Sequence, residues 1–514
     1  MPGGYVFRKD GRVVDYTGLE NRRAERLRGF ESLSFRAIDE RAKSVYFAFF
    51  VFEDMEYRMV AKTFKGLEEV LARELVELGA NEIQIDRRAV SFMGDKALMY
   101  RANLCLRTAS RILKPILSFH AKNADEVYEK VKSISWEKYM NVRNTFAIDA
   151  TVYSESFRHS AYVTYRVKDG IADYFSQKVG ARPSVKVSQP DIMINVHISG
   201  EDVTISLDSS GESLHKRGWR EASTEAPINE ALAAGLLLLS GWKGQSDLYD
   251  PMCGSGTFLI EAALIALGIA PGIYRKSFGF EKWPDFEAEL FNEIYNDDSS
   301  EKNFDNHIYG SDASFYCTKV AEKNIIAARL QKYISVRMCR IQDLKTHSNN
   351  AFIIMNPPYG QRLSADSDVC KLYKEIGNVL KKQFAGSSAW IISSNEDAMK
   401  SIGLKPSKRI PILNGDLECR FNQYELFVGE HKEYKKALAE GTITKRQESE
   451  YKHHTYLTHK RSVGAKNPKY SHYKRDSFDN NDGKMRPFDA SNKQKSFHRK
   501  NEERRDSNYE KDTD

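Results

Sequence analysis

The chain reads as an α/β protein in which a doubly wound parallel sheet follows two smaller α/β units. Three observations predict this. Helix-like and strand-like segments alternate from about residue 211 to residue 428. A glycine-rich turn joins a strand ending at Asp250 to an apolar helix. Ahead of it, two short blocks mix period-two strands with amphipathic helices. At 514 residues the chain is too long for one ordinary domain and fits three or four.

Residues 1–54 form an extension with weak periodicity, ten basic residues and one short apolar run, Val45–Phe52. Regular patterning begins only after Met55, so a true start at Met55 is one reading and an ordinary extension the other. The first unit, 55–115, opens with a strand at Tyr57–Thr63. A helix follows over Gly66–Leu78, where Leu67, Val70, Leu71, Leu75 and Leu78 share one face and Gly79 ends it. Ile83–Ile85 and Ala89–Phe92 read as a strand pair and Lys96–Leu104 as a helix, a β-α-β-β-α order that suggests a small α+β sandwich.

The second unit, 116–209, has helices at Ala124–Ser133 and His159–Lys178 and a strand at Thr145–Tyr153. Ile192–Ser199 and Asp202–Leu207 alternate like a hairpin closed by Gly200-Glu201. In the third unit, 210–428, Pro227–Leu239 reads as an apolar helix with proline in its first turn, where no N–H is needed. Residues 429–514 hold only five Leu, Ile, Val or Met, too few to offset chain entropy, which predicts a disordered tail.

The formal charge of +7 is unevenly placed. Residues 431–514 carry 21 Lys+Arg against 14 Asp+Glu, so the other 430 residues carry 57 of each sign and balance to zero. The positive excess belongs to the tail, where basic residues interleaved with Tyr, Phe and His suit an RNA arm or a merely solvating segment. No apolar run approaches the roughly 18 residues of a spanning helix, and the first 30 residues do not form a signal peptide. The six cysteines are scattered with no C-x-x-C pair, which argues against a zinc site or a disulfide scaffold and fits a reducing cytoplasm.

Two motifs carry chemistry. Asp250-Pro-Met-Cys-Gly-Ser-Gly-Thr257 lies between a strand end and the helix Phe258–Leu267. Gly254 and Gly256 let the backbone turn sharply, and the helix N-terminus offers free N–H groups. It is not a phosphate loop, because no Gly-Lys-Ser/Thr follows. Phe352-Ile-Ile-Met-Asn-Pro-Pro-Tyr-Gly360 is a buried strand delivering Asn356 into a turn stiffened by two prolines. The Asn356 side-chain oxygen and the Pro357 carbonyl are acceptors beside the ring of Tyr359, a set that suits the two N–H groups of an exocyclic amine on a stacked base. Asp312 and Asp343 fall at expected strand ends, where an acid after the second strand accepts from ribose hydroxyls. That logic gives Asp312 the ribose and Asp343 the adenine amine. Leu214–Arg220 is basic and aromatic, and Lys216, Arg217 and Arg220 are offered to RNA phosphates or to a cofactor carboxylate, or else belong to a solvated linker.

Together these motifs resemble the class I S-adenosylmethionine-dependent RNA methyltransferases that carry a THUMP domain, and most closely the guanine-N2 methyltransferases of 23S ribosomal RNA. The resemblance covers about residues 57–428 and includes Gly66-Leu-Glu-Glu69, Arg107–Arg111, Pro190-Asp-Ile192, Gly310-Ser-Asp312 and Asn414–Cys419. It implies a ferredoxin-like unit, a THUMP RNA-binding unit and a Rossmann-like catalytic domain. It assigns Asp250, Cys253, Gly254, Gly256, Thr257, Asp312 and Asp343 to S-adenosylmethionine, and Asn356, Pro357 and Tyr359 to the target base. It further implies a cytoplasmic enzyme without metal or membrane, acting on 23S rRNA. Other readings are a tRNA guanine methyltransferase, adenine-N6 methylation of DNA, or a ribosome assembly factor with a vestigial transferase. The family's enterobacterial form continues into a second methyltransferase domain, and only the basic tail follows here, so that second activity is not expected.

Overall fold

The computed structural model describes residues 56–426, except 158, 347–349 and 361–365, together with a short antiparallel pairing of Tyr5–Phe7 with Val13–Asp15. That pairing aside, the expectations for residues 1–54 and 429–514 lie outside the described residues.

The first two units share one eight-stranded sheet. In chain order they contribute β1 (Tyr57–Lys62), α1 (Glu68–Glu77), β2 (Asn81–Asp86), β3 (Ala89–Gly94), α2 (Lys96–Cys105), β4 (Arg111–His120), α3 (Ala124–Lys132), β5 (Thr145–Tyr153), α4 (Ser160–Val179), β6 (Ser184–Val185), β7 (Ile192–Ser199) and β8 (Asp202–Asp208). The sheet order is β2-β3-β1-β4-β8-β7-β5-β6. The expected β-α-β-β-α order and the β7–β8 hairpin are present. Strand β4 was not anticipated, and it turns two separate sandwiches into one sheet by pairing with β1 on one side and β8 on the other. Pro115 interrupts its apolar run and makes the sequence read as a break. In the structure Pro115 sits opposite Ser206 at a register shift between Ile205 and Ser206, the kind of irregularity at which strands accept proline.

The core of this sheet holds Met59, Phe92, Ile112, Ile194, Val196 and Ile205, under Tyr100 of α2, Val127 of α3 and Ile171 of α4. Helix ends follow the usual chemistry. Asn123 caps α3 by accepting from the N–H groups of Asp125 and Glu126, and Gly180 ends α4 in the left-handed region.

The third unit contributes α5 (Glu230–Ser240), β9 (Leu248–Asp250), α6 (Thr257–Ala266), α7 (Ala288–Tyr295), β10 (Ile308–Asp312), α8 (Phe315–Ala327), β11 (Ile334–Met338), β12 (Phe352–Met355), α9 (Asp366–Gln383), β13 (Ser388–Ser393), α10 (Glu396–Ser401), β14 (Lys408–Asn414) and β15 (Leu417–Glu425). Its seven-stranded sheet runs β11-β10-β9-β12-β13-β15-β14. Among its pairings only those of β15 are antiparallel. Leu248, Ile308 and Ile334 pack with α5, α6 and α8 on one face. Tyr249, Ile353, Met355 and Ile391 pack with α9 and α10 on the other. Helix α5 starts later than the sequence suggested: Asn229 caps it through the N–H groups of Ala231 and Leu232, and Pro227 stays outside the first turn.

Two devices join the units. Leu67 inserts against α5, where a Cβ on Gly235 would stand 2.4 Å from Leu67 Cδ1, so a larger residue there would force Leu67 to shift. The segment between α6 and β10 returns to the first core: Phe280 stacks on Tyr100 at 4.4 Å between ring centroids, and Phe278, Phe286 and Phe291 surround the pair. Phe280 is 1 % exposed. Phe280→Ala is expected to lower stability by about 3–5 kcal/mol, the usual loss for a buried ring, read as a fall in the thermal midpoint. A midpoint equal to wild type would mean that this insertion does not hold the junction.

Candidate active site

Strand β9 ends in a buried carboxylate. Asp250 is 1 % exposed, and its Oδ1 accepts from the Met252 N–H at 3.2 Å. Burial pushes its carboxyl well above the usual carboxylate range, and the nearby charge of Asp312 adds to the rise. The chain then turns onto α6 through Gly254 and Gly256, at φ of 51° and 80°. A Cβ at Gly254 would meet nothing within 4 Å, so the loop is open there. Gly256 is the N-cap of α6 and carries no side-chain cap, which leaves the first-turn N–H groups of the helix available. Asp312, at the end of β10, ties the neighbouring loop down: its Oδ2 accepts from Gly254 N–H at 3.1 Å and its Oδ1 from Ser314 N–H at 2.9 Å. Cys253 and Thr257 are buried beneath this loop. Asp343 stands exposed in a one-turn 3-10 segment after β11.

Sequence reasoning missed what braces the loop. Asn324 of α8 is fully buried and makes four hydrogen bonds. Its amide N–H groups donate to the carbonyls of Ser255 (3.0 Å) and Ala222 (2.9 Å). Its oxygen accepts from the N–H groups of Glu221 and Ala222. Arg220 donates to Glu230 at 2.6 Å, to Ser255 Oγ at 2.9 Å and to Thr257 Oγ1 at 2.9 Å, and lies over the Trp219 ring. The expectation that Arg217 and Arg220 meet RNA phosphates is corrected here. Arg217 is 2 % exposed and spends its guanidinium on Glu261 at 3.3 Å and on the carbonyls of Leu214 and Arg107. Arg220 is committed to the loop. Of the three, Lys216 remains on the surface, with Glu212 at 3.1 Å.

Strand β12 pairs in parallel with β9, Leu248 opposite Phe352 and Tyr249 opposite Ile353, so the loops after the two strands leave from adjacent ends. Asn356 begins the second loop and is half-buried, with Pro357 buried behind it. Tyr359, expected to offer its ring to a base, is half-buried and uses its hydroxyl within the loop. Its hydroxyl donates to Asn356 Oδ1 at 2.5 Å and accepts from Asn414 Nδ2 at 3.3 Å. The Pro358 carbonyl accepts from the Tyr373 hydroxyl at 3.3 Å and the Tyr359 carbonyl from Asn395 Nδ2 at 3.1 Å. Among the described residues no donor reaches the Pro357 carbonyl. Tyr373, Asn395 and Asn414 were not picked out as site residues, although Asn414–Cys419 carried part of the resemblance. A cavity lined by Tyr249, Pro251, Tyr309, Gly310, Ser311 and Arg337, among others, takes Pro251 from the first motif and Gly310 and Ser311 from the run that ends in Asp312.

The chain is similar to known proteins over the same span. Three family models match in order: "RlmL ferredoxin-like domain" over residues 58–113, "THUMP domain" over 121–208 and "RMKL-like, methyltransferase domain" over 217–423. A protein of Synechocystis named "Putative RNA methyltransferase slr0064" is 38% identical over 365 residues, covering 71% of this chain and 95% of the relative. "Ribosomal RNA large subunit methyltransferase K/L" of Syntrophotalea carbinolica is 36% identical over 386 residues, covering 73% of this chain and 54% of the relative. The chain thus spans about half the length of the K/L relatives it matches. A crystal structure of "SMU.472, a putative methyltransferase complexed with SAH", is 30% identical with a TM-score of 0.66, covering 73% of this chain and 99% of the other.

Asp250 gives a pH test. Its folded form holds a proton more tightly than the unfolded chain, so its contribution to stability falls as pH rises from the unfolded carboxylate range toward the raised folded value. Asp250→Asn removes that fall while keeping an oxygen for Met252. The midpoint of the variant is therefore expected to gain on wild type as pH rises above the ordinary carboxylate range. An offset that stays constant over that rise would show that burial does not hold the proton.

Proposed function

The chain belongs to the THUMP-containing, RlmL-like family of S-adenosylmethionine-dependent methyltransferases, and we propose that it transfers a methyl group to the exocyclic N2 amine of a guanine in 23S ribosomal RNA. The single observation that carries this reading is the pair of acceptors, Asn356 Oδ1 and the Pro357 carbonyl, delivered by β12 beside the loop that follows β9. The K/L relatives favour the large-subunit RNA by their printed names.

S-adenosylmethionine, when bound, supplies an electrophilic methyl on a sulfonium. The residues present fit it: an open turn at Gly254, free N–H groups at the start of α6, and the acidic side chains Asp250 and Asp312 at the ends of neighbouring strands. Cys253, Gly256 and Thr257 shape the loop, Asp312 takes the ribose and Asp343 the adenine amine. The ferredoxin-like, THUMP and catalytic units divide at 55–115, 116–209 and 210–428, and the THUMP unit, with Lys216 at its exit, holds the RNA in the cytoplasm.

The N2 amine is a poor nucleophile because its lone pair is delocalised into the ring. Asn356 and Pro357 accept its two N–H groups, orient the nitrogen and favour a more tetrahedral geometry. This is positioning and electrostatic preorganisation, so the reaction needs no strongly shifted base. The base leaves its stack to reach the pocket and lies on the Tyr359 ring.

Deleting the gene and digesting ribosomal and transfer RNA to nucleosides tests the substrate: one N2-methylguanosine is expected to disappear from 23S rRNA by mass spectrometry. Loss from tRNA, or no loss, would refute the assignment. Asn356→Ala is expected to abolish transfer and leave cofactor affinity nearly unchanged by calorimetry. Wild-type turnover in that variant would remove Asn356 from the mechanism.

A further inference from the structure

The acceptors of the Asn356–Tyr359 loop are unequally committed. Tyr373 holds the Pro358 carbonyl and shares its hydroxyl with Ser393 Oγ at 2.8 Å. Asn395 holds the Tyr359 carbonyl while its Oδ1 caps α10 through the Ala398 N–H at 2.9 Å. These two bonds tie the loop to α9 and to the start of α10 and have no reason to change during the reaction. The bond from the Tyr359 hydroxyl to Asn356 Oδ1 differs, because it occupies the very oxygen that the proposed function gives to the target amine.

The surroundings of that hydroxyl supply a second position for it. Asn414, at the end of β14, already donates to the hydroxyl oxygen, and the Asn414 Oδ1 accepts no hydrogen bond among the described residues. Cys419 of β15 also faces the hydroxyl, and Tyr373 stands close by. The ring is half-buried against the core that underlies the loop, so a change of hydroxyl partner asks for a small tilt of the ring and no opening of the fold.

We propose that Tyr359 stands in for the target amine in the substrate-free protein, and that Asn414 is the positioning residue that receives its hydroxyl when the base enters. This rests on the reading of Asn356 and Pro357 as amine acceptors. The exchange keeps count. Before entry, Tyr359 O–H bonds Asn356. After entry, the two amine N–H groups bond Asn356 and Pro357, and Tyr359 O–H bonds Asn414 Oδ1. Before entry the Pro357 carbonyl and Asn414 Oδ1 have no donor among the described residues, after entry each has one, and the amine must compete for Asn356 Oδ1 with an internal partner of similar strength. A base without an amine at that edge displaces nothing, so the contact also selects.

The test uses the full chain and RNA from cells lacking the gene, with Tyr359→Phe, Asn414→Ala and the double variant. Tyr359→Phe keeps the ring and removes the competitor. Its KM for RNA is expected to fall, raising kcat/KM about two- to tenfold, the net worth of one neutral hydrogen bond. Asn414→Ala is expected to lower kcat/KM by a similar factor when Tyr359 is present, and to have no effect in the Tyr359→Phe background. A merely structural Asn414 would act equally in both. Thermal midpoints check that the variants fold. An unchanged or raised KM in Tyr359→Phe, or an equal Asn414→Ala effect in both backgrounds, overturns the exchange. Identifying the methylated nucleoside separates the two readings: a methylated amine on another base refutes guanine-N2 and leaves the exchange to be judged by the same rates. If wild type forms no product, RNA affinity by filter binding decides, tighter binding by Tyr359→Phe supporting the exchange and equal binding sinking it.

Discussion

The site depends on the reversal of winding between β9 and β12. From β9 the chain moves outward through β10 to β11, then crosses back to place β12 on the other side of β9. Connections after the two central strands therefore leave toward opposite faces, α6 joining one core and α9 the other. A crevice is left where they part, at the carboxyl ends of the strands. No local preference makes that crevice. It follows from strand order, and it brings the Asp250 and Asn356 loops together from distant parts of the chain. The parallel register of β9 with β12 then sets how the two loops face each other.

A second constraint carries this site to the rest of the molecule. Arg107 follows α2 of the first unit and donates to the carbonyls of Leu264 and Ile269 around the end of α6. Arg217, on the strap from the second unit, bonds Glu261 within α6 and the carbonyl of Arg107. Glu74 of α1 accepts from the N–H groups of Arg107 and Thr108. A plug of apolar side chains at such a junction is often as stable as buried charges. The charges differ in being directional, since their hydrogen bonds run to named acceptors on α6 and on the segments beside it. The N-terminus of α6 is thus tied to the sheet that precedes it, and Arg220 and Asn324 extend the tie to the loop of Ser255 and Thr257.

The regular elements were largely legible because their signals are local: period-two strands, the Leu67–Leu78 stripe, glycine after α1 and α4. The two chemical motifs were legible for the same reason, each being a contiguous run at a strand end. What was not legible depends on partners far away in sequence. Pro115 reads as a break in isolation and as a tolerated irregularity once β8 lies opposite. Arg217 and Arg220 read as free charge on a linker, and only the fold brings Glu261, Ser255 and Thr257 to them. Asn324, Tyr373 and Asn395 carry no motif of their own. Asn324 sits in a helix whose outward face is unremarkable, and its four bonds exist because the strap passes over it.

The target-base loop shows why its residue types belong together. Across Asn356-Pro357-Pro358-Tyr359 the backbone offers four carbonyls and only two N–H groups, because the prolines have none. Such a stretch cannot satisfy itself and has acceptors in surplus. Two of these are spent on Tyr373 and Asn395, which fix the path of the loop. The Pro357 carbonyl and the Asn356 side-chain oxygen are the pair that the proposed function gives to the target amine. Two neighbouring acceptors repel a carbonyl or a bare ring nitrogen, whose lone pairs would meet theirs, and match a group with two N–H donors. The prolines therefore do more than stiffen a turn. By removing donors they leave the loop rich in acceptors, and Tyr359, the one residue after Asn356 in this run with donors of its own, is the one that satisfies Asn356 Oδ1.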